Sequence, residues 1–115
     1  LGQRVSPWSG FEANPLTQCA WSCCDVTDAT AVEAAVNQCV AQFGALDVAD
    51  ANAGYLGPWV KIGESDPEDW WQNWTVNVQG AYHVIRFAVP HLRASASRWS
   101  QAGKSGGHLI LLSSI

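Results

Sequence analysis

Basic residues are scarce in this 115-residue sequence: six lysines and arginines stand against ten aspartates and glutamates, for a formal net charge of −4. They form no cluster, so nothing supplies the electrostatic footprint that nucleic acid requires, and no nucleic-acid partner is expected. No apolar run approaches the ~20 residues of a membrane-spanning helix. The first residues also lack a basic segment followed by a continuous apolar one. A soluble, cytoplasmic protein without a membrane partner is the expectation. The cysteines, Cys19, Cys23, Cys24 and Cys39, have no Cys-x-x-Cys pair among them, so no metal site is expected. They read as free, buried thiols in a reducing compartment.

What the sequence does have is apolar residues at 48% against only 14% charged, the balance of a folded chain with one modest core. Residues 1–18 carry Pro7, Pro15, Gly2 and Gly10 without a clear period and read as an irregular segment. Cys19 to Cys24 reads as a strand leading into Asp25-Val26-Thr27-Asp28. Asp28 or Thr30 then caps a helix, Thr30 with Glu33 being a capping-box spacing. Val32, Ala35, Val36, Cys39, Val40 and Phe43 recur at three and four up to Gly44. Leu46 to Ala51 is too short and too apolar for a helix and closes at Asn52-Ala53-Gly54, so it reads as a strand ending in a tight turn.

Asp66, Pro67, Glu68 and Asp69 open the longest predicted element: a cap, a proline at the first helical position and acids in the first turn. Its apolar stripe, from Trp70 through Trp74, Ala81, Val84 and Ala88 to Leu92, predicts a helix over 66–93, kinked near Pro90. Ala94 to Gly107 is rich in Ser, Ala and Gly and reads as an exposed loop. Leu109 to Leu112 is an uninterrupted apolar run, typical of a strand covered on both faces. Strands alternating with helices predict an α/β fold with a parallel sheet, in which ligands gather at the carboxyl ends of strands.

Asn77 falls inside the helix's apolar stripe, where an unpaired amide would cost about 1–3 kcal/mol, so partners are required. Gly80, three residues on, leaves an opening beside it. By itself Asn77 reads as a core asparagine satisfied by neighbouring backbone. Asp50 would be a carboxylate inside the sheet and would need a partner or a proton. Asp25, Asn52 to Gly54, and Ser113-Ser114 are each unremarkable, yet all fall at carboxyl ends of predicted strands, where one crevice could collect them.

In that order, Asp25-Val26, Asn52-Ala53-Gly54, Asn77-Val78-Gln79-Gly80 and Ser113-Ser114 resemble the middle of a short-chain dehydrogenase/reductase, over about Cys19 to Ile115. The resemblance implies a partial Rossmann fold over 19–115 and an NAD- or NADP-dependent oxidoreductase interconverting an alcohol and a carbonyl by hydride transfer. It implies that Asp25 accepts a hydrogen bond from the adenine amino group, that Val26 lines the adenine pocket, and that Asn52, Ala53 and Gly54 pass along the ribose. Ser114 would hydrogen-bond the substrate oxygen, and Asn77 would hold a water in the proton relay. The 66–93 helix is similar to one that packs against its own copy in many members, implying a homo-oligomer. Tyr55, Trp59 and the loop to Ser65 would border the substrate pocket.

Two family features are missing from these residues: the glycine-rich turn after the first strand, and the Tyr-x-x-x-Lys pair that would follow Ser114. The strand before Asp25 therefore lacks its neighbour, and little or no turnover is expected of this chain alone. The competing expectation is a non-catalytic Rossmann-like module that binds a nucleotide or a partner.

Overall fold

The computed structural model of the protein describes residues 19–113. The element order is α1 (Ala29–Phe43), β1 (Val48–Ala51), a 3₁₀ turn (Ile62–Glu64), α2 (Pro67–Trp74), a π-helical segment (Thr75–Gly80), α3 (Ala81–Gln101) and β2 (His108–Leu111). This is the expected α/β alternation.

Asp28, rather than Thr30, opens α1. Its Oδ1 accepts from the amides of Thr30 at 2.9 Å and Ala31 at 3.2 Å, satisfying two donors that have no partner within the helix. Gly44 closes the helix with φ at 80° while its amide donates to the Val40 carbonyl at 2.8 Å, a left-handed cap that a side chain would disfavour. At α2 the Asp66 carboxylate accepts from Glu68 N at 2.8 Å and Asp69 N at 3.2 Å, with Pro67 in the first turn.

β1 and β2 pair in parallel, with Val48 opposite His108 and Ala51 opposite Leu111. The long helical arm from Pro67 to Gln101 forms the crossover that a parallel pair requires. The core lies where α3 meets α1 and β1: Val32, Ala51, Ala88 and Leu92 are buried there, together with His83 and Ser95.

Several expectations are corrected. Residues 19–24 have no regular structure, because a strand needs a ladder partner and β1 and β2 are the only strands among the described residues. Cys19, Cys23 and Cys24 are accordingly exposed rather than buried, though free; Cys39 is half-buried. The 94–107 segment is not a loop, since α3 continues to Gln101. The physical reason is a convergence on one carboxylate: Asp47 Oδ1 accepts from Ser95 Oγ, from Arg98 Nη2 at 2.6 Å and from Trp99 Nε1 at 2.8 Å. These three residues lie within four positions on one helical face, so binding Asp47 requires the helix to persist.

β2 is exposed along its whole length rather than covered on both faces, and Asp50 is likewise exposed rather than buried. No layer among the described residues covers that side of the two-stranded sheet. Pro90 sits within α3 without ending it. Among the described residues, no helix is long and apolar enough to cross a membrane, and no group of three or more His, Cys, Asp or Glu could hold a metal ion.

Candidate functional site

The site is built on the turn at residues 25–28 that leads into α1, the residues that follow β1, and the π-helical segment that packs beside both. In the first turn, Asp25 Oδ1 accepts from Thr27 N at 2.9 Å and Thr27 Oγ1 at 2.8 Å, while Asp28 N donates to the Asp25 carbonyl at 3.1 Å. The Thr27 amide and then its hydroxyl hold the Asp25 carboxyl below the ordinary carboxylate range, so it is an anion at neutral pH. No protein donor among the described residues reaches its Oδ2.

Val26, one residue on, is fixed at two points. Its carbonyl lies 2.8 Å from His83 Nδ1, and its side chain lies against Gly80, where an added Cβ would stand 2.7 Å from Val26 Cγ2. The opening that Gly80 leaves is taken up by Val26, whose carbonyl oxygen would lie 3.6 Å from an added Cβ, and Gly80 also borders the cleft described next. Glycine at this position is what allows the two segments to touch.

The second segment follows β1, where Asn52, Ala53 and Gly54 run on in irregular backbone rather than in the expected tight turn. Asn52 and Ala53, with Val26, Ala51, Ala81 and Val84, border a cleft of about 110 Å³ at the carboxyl end of the strand. Three of the five residues expected at the cofactor thus share one cleft. Asp25 adjoins it through Val26, and Gly54 follows Ala53 in the chain, where an added Cβ would be 3.5 Å from Asn77 Oδ1.

Asn77 is exposed, not buried in the helix's apolar stripe, because the π-helical segment 75–80 rotates the face that an unbroken α-helix would present. Its amide closes a ring with the main chain of Tyr55: Oδ1 accepts from Tyr55 N at 2.7 Å and Nδ2 donates to Tyr55 O at 2.8 Å. One turn earlier, Asn73 Oδ1 accepts from Gly57 N at 3.2 Å, and the Tyr55 hydroxyl donates to Asp69 Oδ1 at 3.4 Å. Burial and the nearby Asp69 carboxylate both raise the Tyr55 phenol above its ordinary value. The helix thereby holds residues 55–57 as an edge strand would, through side-chain amides. Next to that loop, Leu56, Trp59, Ile62, Trp70 and Asn73 are among the residues lining a larger open cleft of about 260 Å³. Ser114 lies outside the described residues.

Residues 12–114 match the protein-family model described as Enoyl-(Acyl carrier protein) reductase. The chain belongs to the short-chain dehydrogenase/reductase family. It is 47% identical over 68 residues to the short chain dehydrogenase tazN of Aspergillus terreus, covering 59% of this chain and 15% of that protein. Over 100 residues it is 38% identical to Short-chain dehydrogenase reductase 5 of Arabidopsis thaliana, covering 87% of this chain and 37% of the relative. Among solved structures it is similar to the NADH-dependent reductase A1-R', with a TM-score of 0.72 and 28% identity over 84% of this chain and 37% of that one. The chain thus spans well under half the length of these relatives.

Sequence reasoning missed two residues of the site. Asn73 had a signal, since it precedes Asn77 by four and so shares its helical face. His83 stands three residues after Gly80, on the face that meets Val26, but nothing in the sequence paired it with a carbonyl 57 residues away.

Proposed function

We propose that residues 19–115 are part of a Rossmann-type dinucleotide-binding domain in an NAD(P)-dependent oxidoreductase that interconverts an alcohol and a carbonyl. The observation that carries this reading is the cleft at the carboxyl end of β1, where Val26, Asn52 and Ala53 meet. Its residues fit the adenosine end of the cofactor. The wall is apolar at Val26, Ala81 and Val84, and the anionic Asp25 carboxylate stands next in the chain, with no donor to Oδ2 among the described residues. When bound, the nicotinamide supplies the hydride donor or acceptor.

The residues of this chain do the rest of the work assigned to them. Asp25 accepts from the adenine amino group and Val26 packs on the ring, while Asn52, Ala53 and Gly54 follow the ribose. Asn77 keeps one amide hydrogen and one oxygen lone pair beyond its Tyr55 bonds, enough to hold a relay water. Ser114 donates to the substrate oxygen. The loop held by Asn73 and Asn77, with Trp59 and Trp70 beside it, forms one wall for a small alcohol or carbonyl substrate. Trp70, Trp71 and Trp74 are 46%, 62% and 50% exposed, and this apolar face of α2 supports self-association into a homo-oligomer. Its place in the cell is the cytoplasm.

The test is to express the longer protein encoded around this segment and follow NAD(P)H oxidation with a panel of ketones and aldehydes. Turnover is expected, and Ser114→Ala should lower it by about 10²-fold or more. Cofactor binding without turnover of any alcohol or carbonyl would overturn the redox reading in favour of a binding module.

A further inference from the structure

His83 is 6% exposed, sits on the first turn of α3 and has no part in the chemistry described above. Its one polar contact among the described residues is Nδ1 to the Val26 carbonyl at 2.8 Å. A carbonyl only accepts, so Nδ1 carries the proton and the tautomer is fixed by the fold. The bond joins α3 to a segment 57 residues earlier that otherwise has no regular structure before Val26. On the same helical face, Gly80 takes the Val26 side chain. Val26 is therefore gripped twice from one helix, by its carbonyl and by its isopropyl group, and it borders the 110 Å³ cleft directly.

We infer that His83 is a positioning residue for the adenine end of the cofactor site, acting through the Val26 carbonyl to hold the Asp25-Val26 turn in its binding shape. The inference rests on the cofactor reading of that cleft. Asp25 and Val26 end a segment without a strand partner, so α1 fixes them from the downstream side and α3 from across the cleft. The Thr27 bonds shape the turn internally, and the Asp28 N to Asp25 O bond ties it to the cap of α1. The attachment across to α3, on the side of the cleft, is made by Gly80 and His83. Without the Nδ1 donor, the turn populates other positions, and affinity for adenine nucleotides falls by the fraction of time spent away.

The experiment uses the same longer protein that carries this segment, labelled with ¹⁵N, and AMP as the probe, titrated at millimolar concentration and read by chemical shifts at Val26, Asn52 and Ala53. Three proteins are compared: the parent, His83→Leu and His83→Asn. Leucine fills the space without a donor, whereas the asparagine Nδ2 falls close to the position of the imidazole Nδ1. The parent and His83→Asn should bind AMP with dissociation constants within about threefold of each other, and His83→Leu should be weaker by about tenfold or more. Should His83→Leu not unfold cooperatively, His83→Gln replaces it, because its amide falls near the Nε2 position and cannot reach the carbonyl. A donor-less variant binding AMP as the parent does, with shifts at the same three residues, overturns the role of His83 and leaves the cofactor reading standing. Absence of any AMP-induced shift at those residues in the parent overturns the cofactor reading and this inference together.

Discussion

Replacing Gly80 with alanine sets two effects against each other. Gly80 is a buried helical residue, and alanine is favoured over glycine within a helix by up to about 1 kcal/mol. Against this, the new methyl would stand 2.7 Å from Val26 Cγ2 and 3.1 Å from Val26 Cβ. That is about 1 Å inside ordinary carbon–carbon contact. The neighbour is a β-branched side chain with no flexible end to swing aside. Nor can its backbone withdraw freely, since His83 holds the Val26 carbonyl. Overpacking costs about 1–3 kcal/mol, and an approach about 1 Å too close against a stiff neighbour falls in the upper part of that range, about 2–3, so after the propensity gain Gly80→Ala should be destabilising by a net ~1–2 kcal/mol. For a domain of this size the melting temperature should fall by about 4–8 °C per kcal/mol, read by circular dichroism. The double variant Gly80→Ala with Val26→Ala should recover part of the loss, a coupling of about 1 kcal/mol between the sites. A Gly80→Ala variant as stable as the parent, or more so, would refute the close packing of these two residues.

Asn77→Ala removes two hydrogen bonds to the Tyr55 main chain and should cost about 1–2 kcal/mol, with faster amide exchange at Tyr55; unchanged exchange there would count against the clamp. Asp66→Ala deletes the cap of α2 and should cost about 1 kcal/mol in urea unfolding. The Asp47 carboxyl is held below its ordinary value, first by the Ser95 hydroxyl and then by Trp99 and Arg98. Its folded-state pKa is thus lower than its unfolded one, so its stabilising effect is complete above about pH 4 and is lost as the pH falls through the lowered value. Ser95→Ala should flatten that acid-side decline in a pH series of melts, and an identical pH profile in the two proteins would refute the assignment.

The local elements were legible because their signals are local. Asp28 and Asp66 cap helices, Gly44 ends one, and the apolar period of 29–43 needs only neighbours three and four residues away. The end of β1 before Asn52-Ala53-Gly54 follows from a short apolar run meeting a glycine, although the chain runs on there without the expected tight turn. The family landmarks were legible too, as an ordered series of short motifs whose spacing matches the elements between them.

The failures all concern partners distant in the chain. Residues 94–101 carry the composition of a loop, yet they are helical because Ser95, Arg98 and Trp99 bind Asp47, about fifty residues earlier. Cys19 to Cys24 has the composition of a strand but lacks one beside it, and a backbone without a ladder cannot be a strand. Asn77 has the spacing of a core residue, but a π-helical turn moves it out to grip Tyr55. The sequence by itself determined where helices start and stop and which residues can carry charge or hydrogen bonds, since capping, periodicity and side-chain chemistry are properties of a few adjacent residues. Only the tertiary structure decided that His83 holds Val26, that Val26 is the residue that takes up the space Gly80 leaves, and that Val26, Asn52 and Ala53 share a cleft. Those facts depend on which distant surfaces meet, and the energy of such a contact belongs to both partners and is written in neither segment alone.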